Sequence, residues 1–134
     1  MLIRSEQEML QFGRQFAKKL QAPTVIELLG DVGAGKTTFT RGLAEGLGVQ
    51  EPLSSPSFTI SRRYSGEGRQ LVHYDFYRLA DPGIMSAELQ ETIAAPDTIT
   101  VVEWGESVRG LLPKERYTIE IKYLSEHERE VTVR

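Results

Sequence analysis

The sequence predicts an α/β domain built around a mixed β-sheet, and three observations carry that prediction. Two short apolar runs, TVIELL at 24–29 and TITVVEW at 98–104, read as strands buried on both faces. Met9, Phe12, Phe16 and Leu20 stand at helical spacing before the first run, and further helical segments are expected over 36–47 and 84–95, between the strands. Two stretches, 57–77 and 116–134, alternate polar and apolar residues around short turns, the pattern of antiparallel hairpins. Strands interleaved with helices give a parallel core, and the hairpins extend it.

Each element has a local cause. Ser5-Glu-Gln-Glu8 is a capping box, in which hydroxyl and carboxylate satisfy each other's free amides. Met9, Phe12, Phe16 and Leu20 follow at helical spacing, with Lys18 and Lys19 near the far end. The first helix is therefore expected over about residues 5–20, closed by Pro23. After the 24–29 strand comes a glycine loop, then a helix over 36–47 stopped by Gly48. Ser57 to Tyr64 alternates, with Phe58, Ile60, Arg62 and Tyr64 sharing a face, and Ser65-Gly-Glu-Gly68 turns the chain. Gln70 to Tyr77 places Val72, Tyr74 and Phe76 on one side and His73, Asp75 and Tyr77 on the other. Asp81-Pro82-Gly83 ends that hairpin. A short helix over 84–95, the 98–104 strand and a helical turn over 107–112 follow. The closing hairpin joins RYTIEIKYL to REVTVR through Ser125-Glu-His-Glu128.

Composition narrows the function classes. A chain of 134 residues reads as one domain, 1–134, long enough to bury a core. With no cysteine there is no disulfide framework, thiolate zinc site or cysteine nucleophile. Two histidines, His73 and His127, argue against a transition-metal site and leave a hard, oxygen-ligated ion open. A net charge of −3 argues against a broad phosphate-neutralising face, so any RNA contact is expected to be indirect or local. No apolar run approaches a membrane span and no signal peptide is evident, so a cytoplasmic protein is expected.

Residues 30–37, GDVGAGKT, fit the pattern G-x-x-x-x-G-K-[ST] at every fixed position. Glycines let the backbone fold back so that successive amides face phosphate oxygens. The following helix presents its amino end to the same anion. Lys36 can reach β and γ phosphates, and the Thr37 hydroxyl can ligate Mg²⁺. By average residue usage the pattern arises by chance in ~0.5% of chains this long, and here it sits between a strand and a helix, as the chemistry requires.

Such a loop needs a second cation ligand and a group that orients water. Glu103 closes an apolar strand at the edge where ligands collect in α/β sheets, and Asp75 lies on the polar face of its strand. Either suits either task. Glu106 is a weaker candidate, since glutamates at helix starts are common. Thr59 could approach the γ-phosphate. Arg62, Arg63 and Arg78 are arginine-finger candidates whose ordinary reading is a surface arginine. Trp104 could stack on a base or fill the core. His73 reads as a hydrogen-bonded strand histidine and His127 as a turn residue.

Four motifs, Gly30 to Thr38, Ser55-Pro-Ser-Phe-Thr59, His73-Tyr-Asp-Phe-Tyr-Arg78 and Val102-Glu-Trp-Gly-Glu106, together resemble the signature set of the TsaE family. These are bacterial ATPases of tRNA threonylcarbamoyladenosine biosynthesis, and order and spacing match over nearly the whole chain. The resemblance implies a three-layer P-loop NTPase-like fold and a slow ATPase using ATP and Mg²⁺. It implies a TsaD–TsaB partner pair, which transfers a threonylcarbamoyl group to the adenosine beside the anticodon of certain tRNAs. The tRNA is then met only through those partners, and the chain alone is a monomer or weak homo-oligomer. By resemblance, Asp31, Val32, Gly33, Ala34, Gly35, Lys36, Thr37 and Thr38 bind phosphates, and Thr37 and Glu103 hold Mg²⁺. Asp75 joins them as metal ligand, water-orienting group or both. Trp104 lies near the nucleotide and the partner surface, while Ser5, Glu6 and Arg129 approach adenine or ribose. Two positions depart from the family pattern. Ser57 replaces a usual threonine and keeps its hydroxyl; Gly105 replaces a frequent proline and is expected to loosen the turn after Trp104.

The rivals are testable. The chain has no asparagine, which excludes the Asn-Lys-x-Asp guanine-reading motif of GTPase switches. A small-molecule kinase needs a lid and an acceptor pocket, for which few residues remain. A nucleotide-gated binding module with little turnover differs from the ATPase reading mainly in rate. Without an evident arginine in cis, hydrolysis is expected to be slow until a partner completes the site.

Overall fold

The structure, a computed structural model, describes residues 1–31, 33–53, 61–77 and 83–134. In chain order its elements are β1 (Leu2–Ile3), α1 (Glu6–Ala17), β2 (Thr24–Leu29), α2 (Lys36–Gly46), β3 (Ser61–Ser65), β4 (Gln70–Asp75), α3 (Ile84–Ala94), β5 (Thr98–Glu103), a 3₁₀ helix (Gly105–Leu111), β6 (Tyr117–Tyr123) and β7 (Arg129–Val133). The seven strands form one sheet in the order β1-β7-β6-β2-β5-β4-β3. The pairs β6–β2, β2–β5 and β5–β4 are parallel, while β3–β4, β6–β7 and β1–β7 are antiparallel. This is the predicted parallel core flanked by hairpins.

Helices cover both faces, which gives three layers. On one face α1 and α2 lay Met9, Phe16, Phe39 and Leu43 against Ile26, Leu28, Ile99, Val101, Ile119 and Ile121. On the other, Leu89 of α3 and Val108 of the 3₁₀ helix pack with Val25, Val72, Tyr74 and Val102. The alternation read from the sequence is what divides Leu71 from Val72 and Val101 from Val102. Residues α1 and α2 place at their contact are small because the backbones nearly touch. A Cβ on Gly42 would lie 2.3 Å from the Leu10 carbonyl oxygen, and one on Gly13 would lie 2.5 Å from that of Phe39. Phe12 and Phe16 of α1 meet Phe39 of α2, and Phe16 is also set edge-on to Tyr117 of β6 at 5.1 Å.

Several boundaries differ from expectation for physical reasons. Helix α1 stops at Ala17, and Lys18, Lys19 and Leu20 continue as tightened turns whose amides bond three residues back. Only half of the capping box closes as expected. Ser5 Oγ accepts from the Glu8 amide at 3.1 Å, but Glu8 Oε2 accepts from the Arg4 amide, one residue earlier. Strand β5 ends at Glu103 because Trp104 turns into the left-handed region at φ 55°. Strand β1 has no counterpart among the sequence expectations, since two residues carry no periodicity. Residues 57–60 of the first alternating stretch lie outside the described residues. Among the described residues, no helix is long and apolar enough to cross a membrane.

Glu27 is the other departure. It sits inside the TVIELL run yet is 2% exposed. Two guanidinium groups meet its carboxylate: Arg109 Nε at 2.9 Å and Arg116 Nε at 3.2 Å. The pairing offsets the desolvation of a buried charge and ties the 3₁₀ helix and the chain before β6 to the central strand.

Candidate functional site

The glycine loop leaves β2 and folds onto the amino end of α2. The helix cap is Gly35 at φ 112°, a backbone conformation that suits glycine, and no side chain caps the helix. No acidic residue stands in its first turn either. The contrast with α1, which carries Ser5, Glu6 and Glu8 at its start, is informative. The positive end of the α2 dipole therefore has no cap or first-turn acid of its own, the setting in which helix amino ends take up anions. Asp31 is exposed, and its carbonyl accepts from the Ala34 amide at 3.0 Å.

Lys36 is 6% exposed. Its Nζ donates to the Gly30 carbonyl at 2.6 Å, lies 3.7 Å from Glu103 Oε1 and stands 3.9 Å above the centre of the Trp104 ring. Burial pulls its pKa below the usual lysine value, against the carboxylates of Glu103, Asp75 and Asp31. The parallel pairing of β4 with β5 sets Asp75 directly beside Glu103, at adjacent strand ends on the α2 side of the sheet. Burial raises the pKa of Asp75, the Tyr77 amide (3.0 Å from Oδ1) opposes this, and the charge of Glu103 adds to it. Glu103 is 5% exposed, and its Oε2 meets Nε2 of His73.

Two cavities adjoin across the loop. One, ≈ 400 Å³, is lined by Gly33, Gly35, Lys36, Thr37, Thr38, Asp75, Tyr77, Glu103 and Trp104. The other, ≈ 320 Å³, is lined by Ser5, Glu6, Met9, Gly33, Gly35, Thr38, Glu126, His127 and Arg129. The first gathers a helix amino end, a lysine, a hydroxyl and two carboxylates. The second combines an apolar floor at Met9 with polar walls. Together they have the form of a phosphate-and-cation subsite beside a subsite for a larger group. Thr37, Asp75 and Glu103 are hard oxygen donors of the kind Mg²⁺ takes alongside phosphates and water. Among the described residues, no three His, Asp or Glu side chains form a metal cage by themselves.

The structure distributes the candidate residues unevenly. Lys36, Thr37, Asp75, Glu103 and Trp104 meet in one cavity; Ser5, Glu6 and Arg129 meet in the other. Arg129 gives its donors to main-chain carbonyls, with Nε on Ala34 at 2.9 Å and a terminal nitrogen on Ser125 at 2.7 Å. Asp31 and Glu106 line neither cavity; both border a third, ≈ 630 Å³, on the far side of Lys36. Arg62 and Arg63 lie on the edge strand β3, and Arg63 donates to Thr92 Oγ1 at 3.2 Å. Val32, Ser57, Thr59 and Arg78 lie outside the described residues. Gly105 is buried, and a Cβ there would meet Val102 Cγ1 at 2.9 Å. Met9, Tyr77, Glu126 and His127 were not expected in the site. Tyr77 stands within the His73–Arg78 motif; no local pattern marks Met9, Glu126 and His127, because only the fold brings the final turn and α1 to the loop.

This arrangement is that of the phosphate-loop α/β class. A crystal structure of YdiB from Bacillus subtilis matches 99% of this chain and 82% of that one, with a TM-score of 0.79 at 33% sequence identity. The family model for threonylcarbamoyl adenosine biosynthesis protein TsaE matches residues 3–131, and the chain belongs to the TsaE family. Relatives described as tRNA threonylcarbamoyladenosine biosynthesis protein TsaE bear this out. The Haemophilus influenzae protein is 37% identical over 90% of this chain and 80% of its own length. That of Streptomyces coelicolor is 43% identical over 84% and 78%, and that of Treponema pallidum 39% over 97% and 96%. The family's role is in tRNA threonylcarbamoyladenosine biosynthesis.

Proposed function

We propose that this protein is a Mg²⁺-dependent ATPase that supports threonylcarbamoyladenosine formation in tRNA by binding and resetting the TsaD–TsaB transferase pair. The observation that carries the reading is the β4–β5 register, which faces Asp75 and Glu103 toward Lys36 and Thr37 across one cavity. In this reading the loop amides and Lys36 take up charge on the β and γ phosphates. Thr37 and Glu103 hold the cation, with Asp75 as the third candidate ligand. Bound Mg²⁺ supplies further neutralisation of the phosphate oxygens. Asp75 or Glu103 orients the water, whose oxygen bonds to the γ-phosphorus as the bond to the β–γ bridging oxygen breaks. ADP and phosphate leave, and the water's proton passes to a carboxylate or to solvent. Ser5 and Glu6, with Arg129 behind the loop, form the adjoining wall for base and ribose.

The test is steady-state ATP hydrolysis, alone and with the purified TsaD–TsaB pair, with Lys36→Ala as the blank. The pair is expected to stimulate hydrolysis, and the variant to lose at least ~100-fold. A rate indifferent to the pair reduces the reading to a generic ATPase; phosphate transfer to a hydroxyl compound replaces it with a kinase.

A further inference from the structure

We propose that His73 is a positioning residue, holding one oxygen of Glu103 so that the other is presented to the cation. The inference rests on the reading of Glu103 as a cation ligand. His73 is 1% exposed and pairs across the sheet with Val101, two residues before the Asp75 and Glu103 pair and on the same face. Its Nε2 meets Glu103 Oε2, which leaves Oε1 on the side of Lys36. Lys36 Nζ, 3.7 Å from Oε1, forms an ion pair longer than a hydrogen bond, so the shorter contact on this carboxylate is the one from His73. Main-chain geometry alone leaves a glutamate three rotatable bonds. The histidine contact is what restricts them.

The histidine is otherwise poorly placed. Its Nδ1 is buried without a hydrogen-bond partner among the described residues, and its strand neighbours on that face, Leu71 and Val101, are fully buried apolar residues. An apolar side chain would fill this floor without an unpaired polar atom. An ionised carboxylate only accepts, so Nε2 is the donor in this contact. Among the described residues, the hydrogen bond its ring makes is the one from Nε2 to Glu103. Partners of this kind fix the geometry of ligating carboxylates, and their loss typically weakens metal binding by ~10–100-fold.

The experiment reads Mn²⁺ binding to the ADP-saturated protein by electron paramagnetic resonance. The variants are His73→Gln, His73→Asn, His73→Leu and Glu103→Gln. A glutamine amide nitrogen can stand where Nε2 stood, whereas that of asparagine stands nearer Nδ1. His73→Gln is expected to keep wild-type Mn²⁺ affinity, and His73→Asn and His73→Leu to lose ~10–100-fold. ADP affinity in EDTA, followed by fluorescence of the single tryptophan, should be unchanged in all three, which a merely structural role would not produce. If His73→Leu does not fold, the glutamine and asparagine pair decides. Equal Mn²⁺ affinity in those two overturns the proposal. Loss in Glu103→Gln with no loss in His73→Asn overturns the proposal alone. No loss in Glu103→Gln overturns the reading of Glu103 and the proposal with it.

Discussion

At the scale of residues, the site holds charges against their solvation. Burial lowers the pKa of Lys36 and raises that of Asp75, so each is disfavoured in its charged form. An anion beside Lys36 and a cation beside Asp75 would each reverse that penalty, which supports a polyphosphate with a bound cation as the ligand. The same shifts predict a trade between stability and function. Asp75 has a folded pKa above its unfolded value. Its contribution to stability is therefore complete below the unfolded pKa and lost as pH rises through the folded one. Asp75→Asn should then raise the thermal unfolding midpoint, measured in EDTA, at pH well above both values. The gain should fade as pH drops through the raised pKa. A variant less stable than wild type at high pH would show that the Lys36 attraction outweighs desolvation.

Among the elements, the α1–α2 contact is the most constrained. Gly42 meets the Leu10 carbonyl so closely that a methyl group cannot enter without moving a helix. Alanine is the better helix former by up to ~1 kcal/mol, so propensity and packing point in opposite directions at this position. Packing should win: Gly42→Ala is expected to cost ~1–3 kcal/mol in urea unfolding, with the m-value unchanged. Gly110→Ala is the control, since nothing lies within 4 Å of its added Cβ, and should stay within ~0.5 kcal/mol. Equal effects at the two positions would mean that the helices separate easily. Because α1 carries Ser5, Glu6 and Met9 into the site, Gly42→Ala should also weaken ADP binding.

Across the whole molecule, the site is assembled from segments far apart in the chain. The β6–β7 hairpin reaches the glycine loop through Arg129, whose guanidinium bonds the Ala34 carbonyl and lies 4.5 Å from the Tyr123 ring. Those bonds hold loop carbonyls on the outer side. We expect Arg129→Ala to weaken ADP binding by ~10-fold in calorimetry, equivalent to ~1.4 kcal/mol. Lysine should restore little of it, since an ammonium cannot reproduce the fork of donors. Wild-type affinity in Arg129→Ala would uncouple the hairpin from the loop. Glu27 plays the corresponding part on the opposite face, where Arg109 anchors the 3₁₀ helix that follows Trp104.

The sequence by itself determined the order of the longer elements, the alternation of side chains along each strand and the loop between β2 and α2. Those features are local. Periodicity, glycine content and helix-start residues act over a few neighbours, and the matches at Thr24–Leu29 and at the Lys36 helix start reflect that. It also named Asp75, Glu103 and Lys36, through their places at strand and helix ends. Only the tertiary structure decided that Asp75 stands beside Glu103, that His73 lies beneath them, and that Glu126, His127 and Arg129 wall the neighbouring cavity. It alone decided that Glu27 is buried between two arginines and that β1 exists. These depend on strand order and register, which follow from burying both faces of one sheet at once. No window of the sequence contains that condition.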